Sequence, residues 1–269
     1  MPFSGNSQRH KQGHHRLGTQ RPRHSLWRRM SLPLLVAALL SLIAACGPAP
    51  QTPAAPSVAT QPASKRAFTY VAIGASDSFG IGTDNPTQDN WPTVLSGLMG
   101  PDVHLINLGI PGETVAEARE TELPVALDAH PNIVTVWLGV NDILQSVSVN
   151  DYEQGLEAIL HALDEQTNAH VFVGNIPDLT ALPYFARYDQ DALKTKIAQW
   201  NAAVDEAVAA TGAILVDINA SWDAVAQHPE YVASDGLHPS TEGAQQLAAV
   251  FLSWIMIALP DIHTEAGAT

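Results

Sequence analysis

The chain has 269 residues, 46% of them hydrophobic and 15% charged, with a formal net charge of −14. That composition suits a folded domain with a buried core, and the length admits one large domain or two small ones. Positions 1–46 hold seven of the 13 Lys and Arg and no acidic residue, so six basic residues face 27 acidic ones beyond them, a net charge of about −21; this sign disfavours nucleic acid and anionic surfaces as partners.

Residues 1–27 are rich in Arg, His, Gln and Gly, with His10, His14, His15 and His24 among them. Such a tract can bind metal, but without apolar periodicity it reads as an overlong n-region or a misplaced start. Arg28 and Arg29 then precede "MSLPLLVAALLSLIAAC". A positive flank, a short apolar stretch and a small-residue exit predict a signal peptide. The stretch is shorter than the ~20 residues of a membrane-spanning helix. "IAAC", Ile43 to Cys46, resembles the lipobox of bacterial lipoproteins. The resemblance implies that Cys46 is lipidated, becomes the new N-terminus and anchors an extracytoplasmic protein to the bacterial cell membrane. A plain signal peptide with an incidental cysteine is the alternative. Cys46 is the single cysteine, so no intramolecular disulfide forms. Residues 47–64, dense in Pro, Ala, Ser and Thr, read as a linker. The folded domain is expected over 65–260, with a C-terminal tail at 261–269.

Apolar runs then alternate with helical patterns. "FTYVAIG" (68–74), "VHLINLG" (103–109), "NIVTVWLG" (132–139), "AHVFVGNIP" (169–177) and "AILVDINA" (213–220) are predicted strands. Between them lie predicted helices at 90–99, around "TVAEARETELPVALDA" with a break at Pro124, at 150–166 capped by Asn150 or Asp151, at 190–212 closed by Gly212, and at 240–259. Five β-α units with near-continuous apolar strands imply a three-layer α/β/α sandwich around a five-stranded parallel sheet. Ligands of such sheets bind beyond the carboxyl ends of the strands, so the residues just after each strand carry the functional reading.

"GASDSFG" follows the first strand, "GIPGET" the second and "GVND" the third, while "SDGLHPST" precedes the last helix. A serine hydroxyl becomes a nucleophile when a base takes its proton, and Ser76 and Ser78 are both candidates. His238 is a suitable base, since imidazole titrates near neutrality. Asp235, three residues earlier, is placed to bond its Nδ1 and fix the tautomer. Gly112 lets a backbone N–H approach a substrate, and the Asn141 amide is a second oxyanion donor. Each signal alone is weak: a serine after a strand is often a cap, and Asn-Asp is often a turn. His104, His130, His161, His170, His228 and His263 lack such company and read as surface or satisfied histidines.

The joint order of these motifs resembles the SGNH-hydrolase, or GDSL esterase/lipase, family from Tyr70 to about Pro260. Its blocks are matched by Gly74-Ala75-Ser76, Gly112, Gly139-Val140-Asn141-Asp142 and Asp235-Gly236-Leu237-His238. The resemblance implies Ser76 as nucleophile, His238 as base, Asp235 as its orienting acid, and Ser76 N–H, Gly112 N–H and Asn141 as the oxyanion hole. The first block departs from the pattern, with Ala75 in place of the usual Asp and Asp77 after the serine. "SDSF" imitates the family tetrapeptide around Ser78, but only Ser76 has a glycine two residues before it and Gly80 four after.

The expected activity is hydrolysis of carboxylic esters, small or glycan-borne, through an acyl-enzyme on Ser76, with no metal or organic cofactor. A thioesterase or acyltransferase on cell-envelope glycans would use the same site, and a non-catalytic ligand-binding lipoprotein is the rival from another class. Segment 176–190, with Tyr184, Phe185 and Tyr188, is either an acyl-binding lip or an ordinary connection. Oligomeric state is not readable from the sequence.

Overall fold

In the computed structural model the described residues are 68–221 and 227–260. The expectations for the signal peptide, Cys46, the linker 47–64 and the tail 261–269 lie outside them. All described residues belong to one compact unit, Ala59–Thr269.

Five strands form one sheet: β1 (Phe68–Gly74), β2 (Val103–Asn107), β3 (Ile133–Trp137), β4 (His170–Gly174) and β5 (Ile214–Val216). Every pairing is parallel and the order is β2-β1-β3-β4-β5. The alternation of side chains along each strand divides the core in two. Val71, Ile73, Val134 and Val136 face helices α3 (Val115–Thr121), α4 (Leu123–Asp128), α6 (Val149–Gln166) and α7 (Gln190–Ala209). Tyr70, Ala72, Ile133 and Phe172 face α2 (Trp91–Met99) and the last helix, Thr241–Ala258. On that second face Trp91 stacks on Phe251 with ring centroids 4.4 Å apart. The α/β/α sandwich expected from the sequence is the fold, and helices cover both faces of the sheet.

Several boundaries move. The cap of α6 is Ser148, not Asn150 or Asp151: its Oγ accepts from Asp151 N–H (3.1 Å) and donates to the Asp151 carboxylate (2.6 Å). Asp151 therefore closes the cap from inside the helix. Helix α7 ends at Ala209 rather than at Gly212, and the Thr211 hydroxyl donates back to Ala207 O (3.2 Å). The predicted strand 213–220 keeps only three residues. Asp217 ends it, accepting from Ala220 N–H and from the Asn175 amide (both 2.9 Å), and the chain turns into the short helix α8 (Ile218–Ser221). A polar residue that caps the next helix outweighs the apolar run that continues past it. The break expected at Pro124 falls at Glu122, and Pro124 lies in the first turn of α4, where a missing N–H costs nothing.

Candidate active site

The site begins where β1 stops. Ser76 opens α1 (Ser76–Phe79), a single turn that Gly80 ends at φ +102°, its N–H donating to Ser76 O (3.0 Å). Within this turn the two serines part. Ser76 lines a cavity of about 450 Å³. Ser78 is fully buried, with its Oγ unpaired and its side chain wedged against Gly74 and Gly109. A Cβ on Gly74 would sit 2.1 Å from Ser78 Oγ, and one on Gly109 would sit 2.7 Å from Ser78 Cβ. Both glycines are thus kept free of a side chain by the packing around Ser78.

Gly112, in the loop after β2, has φ +90°. Its carbonyl accepts from the Gln145 amide (2.9 Å), which fixes the loop against α5 (Val140–Leu144). Gly139, at φ +125°, brings the chain from β3 into α5, and Asn141 follows on the rim of the cavity. The Asn141 Nδ2 donates one hydrogen to Glu113 O (2.9 Å), leaving its second hydrogen for a ligand. Asp142 faces away, and its buried carboxylate accepts from Val115 N–H at the start of α3 (3.2 and 3.3 Å). Burial pushes that carboxyl up to about 6, against the pull of the Val115 N–H.

The fourth piece is the loop before the last helix. Asp235 Oδ1 accepts from Leu237 N–H (2.9 Å) and His238 N–H (3.0 Å), and Oδ2 lies 2.6 Å from His238 Nδ1. Partial burial opposes ionisation of Asp235, but these three hydrogen bonds outweigh it and hold the carboxyl below its usual range. An ionised carboxylate only accepts, so Nδ1 carries the proton and Nε2 is left as the basic nitrogen. His238 lines the same cavity as Ser76, Gly112 and Asn141. The structure therefore brings Ser76, Gly112, Asn141 and His238 to one cavity, with Asp235 behind the imidazole and Ser78 packed out of reach.

The walls are apolar. Trp137, at the end of β3, donates its indole N–H to Asn175 O (3.1 Å). Pro177, Leu179 and Leu182 close the cavity from segment 176–190. This segment does reach the cavity, but through aliphatic side chains. Tyr184 and Tyr188 are exposed, and Phe185 is buried in the core. Tyr184 N–H donates to Gly236 O (3.0 Å), tying the segment to the His238 loop.

Two features were missed in the sequence. Asp77 also lines the cavity, near His238 and Asp235. Burial pushes its carboxyl up to about 6, against the attraction of His238. Its signal was the departure in the first block, an acid where that pattern has none. Glu122 is buried beneath the nucleophile turn. Its signal was an acid on the apolar face of α3, in step with the buried Val115 and Ala118. Among the described residues no three His, Cys, Asp or Glu side chains gather as metal ligands.

The model of the GDSL-like lipase/acylhydrolase family matches residues 72–246. An acetylxylan esterase of Geobacillus stearothermophilus is 26% identical over 158 residues, covering 56% of this chain and 71% of its own. An arylesterase of Vibrio mimicus is 27% identical over 185 residues, covering 66% and 83%. A crystal structure of an acetylxylan esterase from Geobacillus stearothermophilus superposes with a TM-score of 0.59 at 20% identity, over 70% of this chain and 94% of that one. The family match takes in more than half of the sequence, and the strand ends that it spans are those that converge on the cavity: the chain belongs to the GDSL-like lipase/acylhydrolase family, the SGNH hydrolases, and is a serine esterase.

Proposed function

We propose that this protein is an extracytoplasmic, lipid-anchored esterase that cleaves short acyl esters through an acyl-enzyme on Ser76. The observation that carries the chemistry is the 2.6 Å contact between Asp235 and His238 Nδ1, on an imidazole that shares one cavity with Ser76, Gly112 and Asn141. In the forward step Nε2 of His238 takes the Ser76 proton as Oγ attacks the ester carbonyl, and Asp235 stabilises the imidazolium that forms. The negative oxygen of the tetrahedral intermediate is met by Ser76 N–H, Gly112 N–H and the second hydrogen of the Asn141 amide. His238 returns the proton to the leaving alcohol, then activates water to release the acid. Apolar walls suit a short acyl chain. Among the described residues Asp77 is the one carboxylate lining the cavity, and it disfavours anionic acyl groups. The names of the two relatives supply the esters to compare, an acetylated sugar and an aryl ester.

The test uses the full chain, an organophosphonate label and a panel of acetyl and butyryl esters and thioesters. The label is expected on Ser76, and Ser76→Ala is expected to lose several orders of magnitude in turnover, about 10³-fold or more. A label on Ser78 with turnover surviving in Ser76→Ala overturns the assignment, and no label with no turnover in the wild type favours a ligand-binding protein. Faster transfer to a sugar hydroxyl than to water would favour an acyltransferase.

Export and anchoring rest on Arg28, Arg29, the apolar run and "IAAC". Two acyl chains hold a protein on a membrane where one does not. In a bacterial host the wild type is expected in the membrane fraction and Cys46→Ser outside it; equal partitioning would end the lipoprotein reading.

A further inference from the structure

Beneath the nucleophile turn two acids meet, and among the described residues no Lys or Arg forms a salt bridge with either. Glu122, 1% exposed, stands between α3 and α4, and its Oε2 accepts from Gly74 N–H (2.9 Å), two residues before Ser76. Its Oε1 is buried and has no donor. Glu113, 9% exposed, accepts from the hydroxyl of Thr121, the residue before Glu122 (2.9 and 3.1 Å), which sets its carboxyl beside that of Glu122. The backbone carbonyl of the same Glu113 holds the Asn141 amide (2.9 Å). One pair of acids thus touches both the turn that carries Ser76 and the amide assigned to the oxyanion.

Two ionised carboxylates cannot share such a place, because each repels the other and both lose their water. With a proton between them the orphan oxygen becomes a donor to its neighbour and every group is paired. We propose that Glu113 and Glu122 form a buried acid pair sharing one proton, and that the pair acts as a positioning device holding Gly74 and Asn141 in register for the reaction at Ser76.

The other charged groups nearby are engaged elsewhere. Glu117 closes the Thr114 cap, Asp142 bonds Val115 N–H, and Arg119 is exposed. From α6, Glu153 meets Glu157 and Glu206, and from β1 Tyr70 bonds Thr135 on the opposite face of the sheet. Burial, then the neighbouring Glu113 carboxyl, pushes the Glu122 carboxyl from an ordinary 4.5 to about 9. The folded chain therefore binds this proton more tightly than the unfolded chain. Its contribution to stability is complete below 4.5 and is lost as pH rises through about 9.

The positioning role rests on the esterase reading, whereas the shared proton has a readout that does not. Glu122→Gln copies the protonated acid: its oxygen can accept from Gly74 N–H and its NH₂ can donate to Glu113. Glu122→Ala leaves Gly74 N–H buried and unpaired. In the full chain, Glu122→Ala is expected to lose at least about tenfold in kcat with KM within about twofold, as for a reacting group displaced by a fraction of an ångström. Glu122→Gln is expected to stay within about threefold of the wild type in kcat. Thermal midpoints between pH 5 and 9 supply the second arm, and Glu122→Gln is expected to gain on the wild type steadily as pH rises. A Gln variant as inactive as the Ala variant, or a Gln-minus-wild-type midpoint difference that is constant with pH, overturns the pair. If the wild type hydrolyses no ester, the midpoint comparison still decides it.

Discussion

Ser76 and Ser78 are two residues apart and opposite in circumstance, one at the cavity and one packed out of reach. An unpaired buried hydroxyl costs about 1–3 kcal/mol relative to a satisfied one. Ser78→Ala is therefore expected to keep turnover and to leave stability unchanged or raise it by about 1 kcal/mol; an inactive or markedly destabilised variant in urea melts and rate assays would contradict the packing described. Asn141→Ala removes a donor whose partner charge exists only in the transition state. Steady-state kinetics should lose about 10²–10³ in kcat with little change in KM, and an unchanged kcat would take Asn141 out of the site. Ser76, Gly112 and Asn141 were legible because they come just after strands, and Asp235 and His238 because a short motif places them in the loop before the last helix. Glu122 was not. Its function depends on Glu113 and on Gly74, 48 residues earlier in the chain, and no local pattern announces a contact of that range.

The loops that deliver these residues were read better than their limits. A run of apolar residues signals a strand, but it does not say where hydrogen bonding stops. In "AILVDINA" the deciding residue is Asp217, whose carboxylate caps α8 and bonds Asn175. In segment 176–190 aromatic residues drew attention, yet Leu179 and Leu182 line the cavity because two 3₁₀ turns set which side chains face it. The loop after β2 offers a sharper test. A Cβ on Gly112 would meet open space, so substitution there is opposed by its φ of +90° alone. Gly112→Ala is expected to cost about 1–2 kcal/mol locally. That strain is relieved by turning the peptide, which moves the N–H assigned to the oxyanion. Turnover should fall more than global stability does, and equal losses in rate and melting midpoint would argue that Gly112 only shapes the fold.

Across the domain, the acids gathered around the site make stability depend on pH. Asp77 and Asp142 are each pushed from an ordinary 3.8 to about 6, chiefly by burial. Their contribution is complete below 3.8 and is lost as pH rises through about 6. Asp235 acts oppositely, because its lowered value makes it stabilising once ionised and that share is lost on acidification. Between pH 5 and 8 the raised groups are the ones still titrating, Asp77 and Asp142 in the lower part and Glu122 toward the upper end, while Asp235 is already ionised, and the surplus of negative charge works in the same direction. The thermal midpoint is therefore expected to be higher near pH 5 than near pH 8, and Asp77→Asn should flatten the difference; a midpoint that rises between those values would contradict this assignment.

Strand order has a further consequence, for the time at which the site comes into being. β1 lies between β2 and β3, so the first strand of the sheet is an inner one and gains its second neighbour only when Ile133–Trp137 arrives. His238 comes later still, after all five strands, and the helix that stacks Phe251 on Trp91 follows it. Contacts this distant in sequence form slowly, because the intervening chain must be closed before they hold. A chain that ended before Asp235 would contain the whole sheet, the serine and the oxyanion donors, yet lack the base. Hydrolysis is thus withheld until the C-terminal part has docked, and the return of activity during refolding marks completion of the fold, not its beginning.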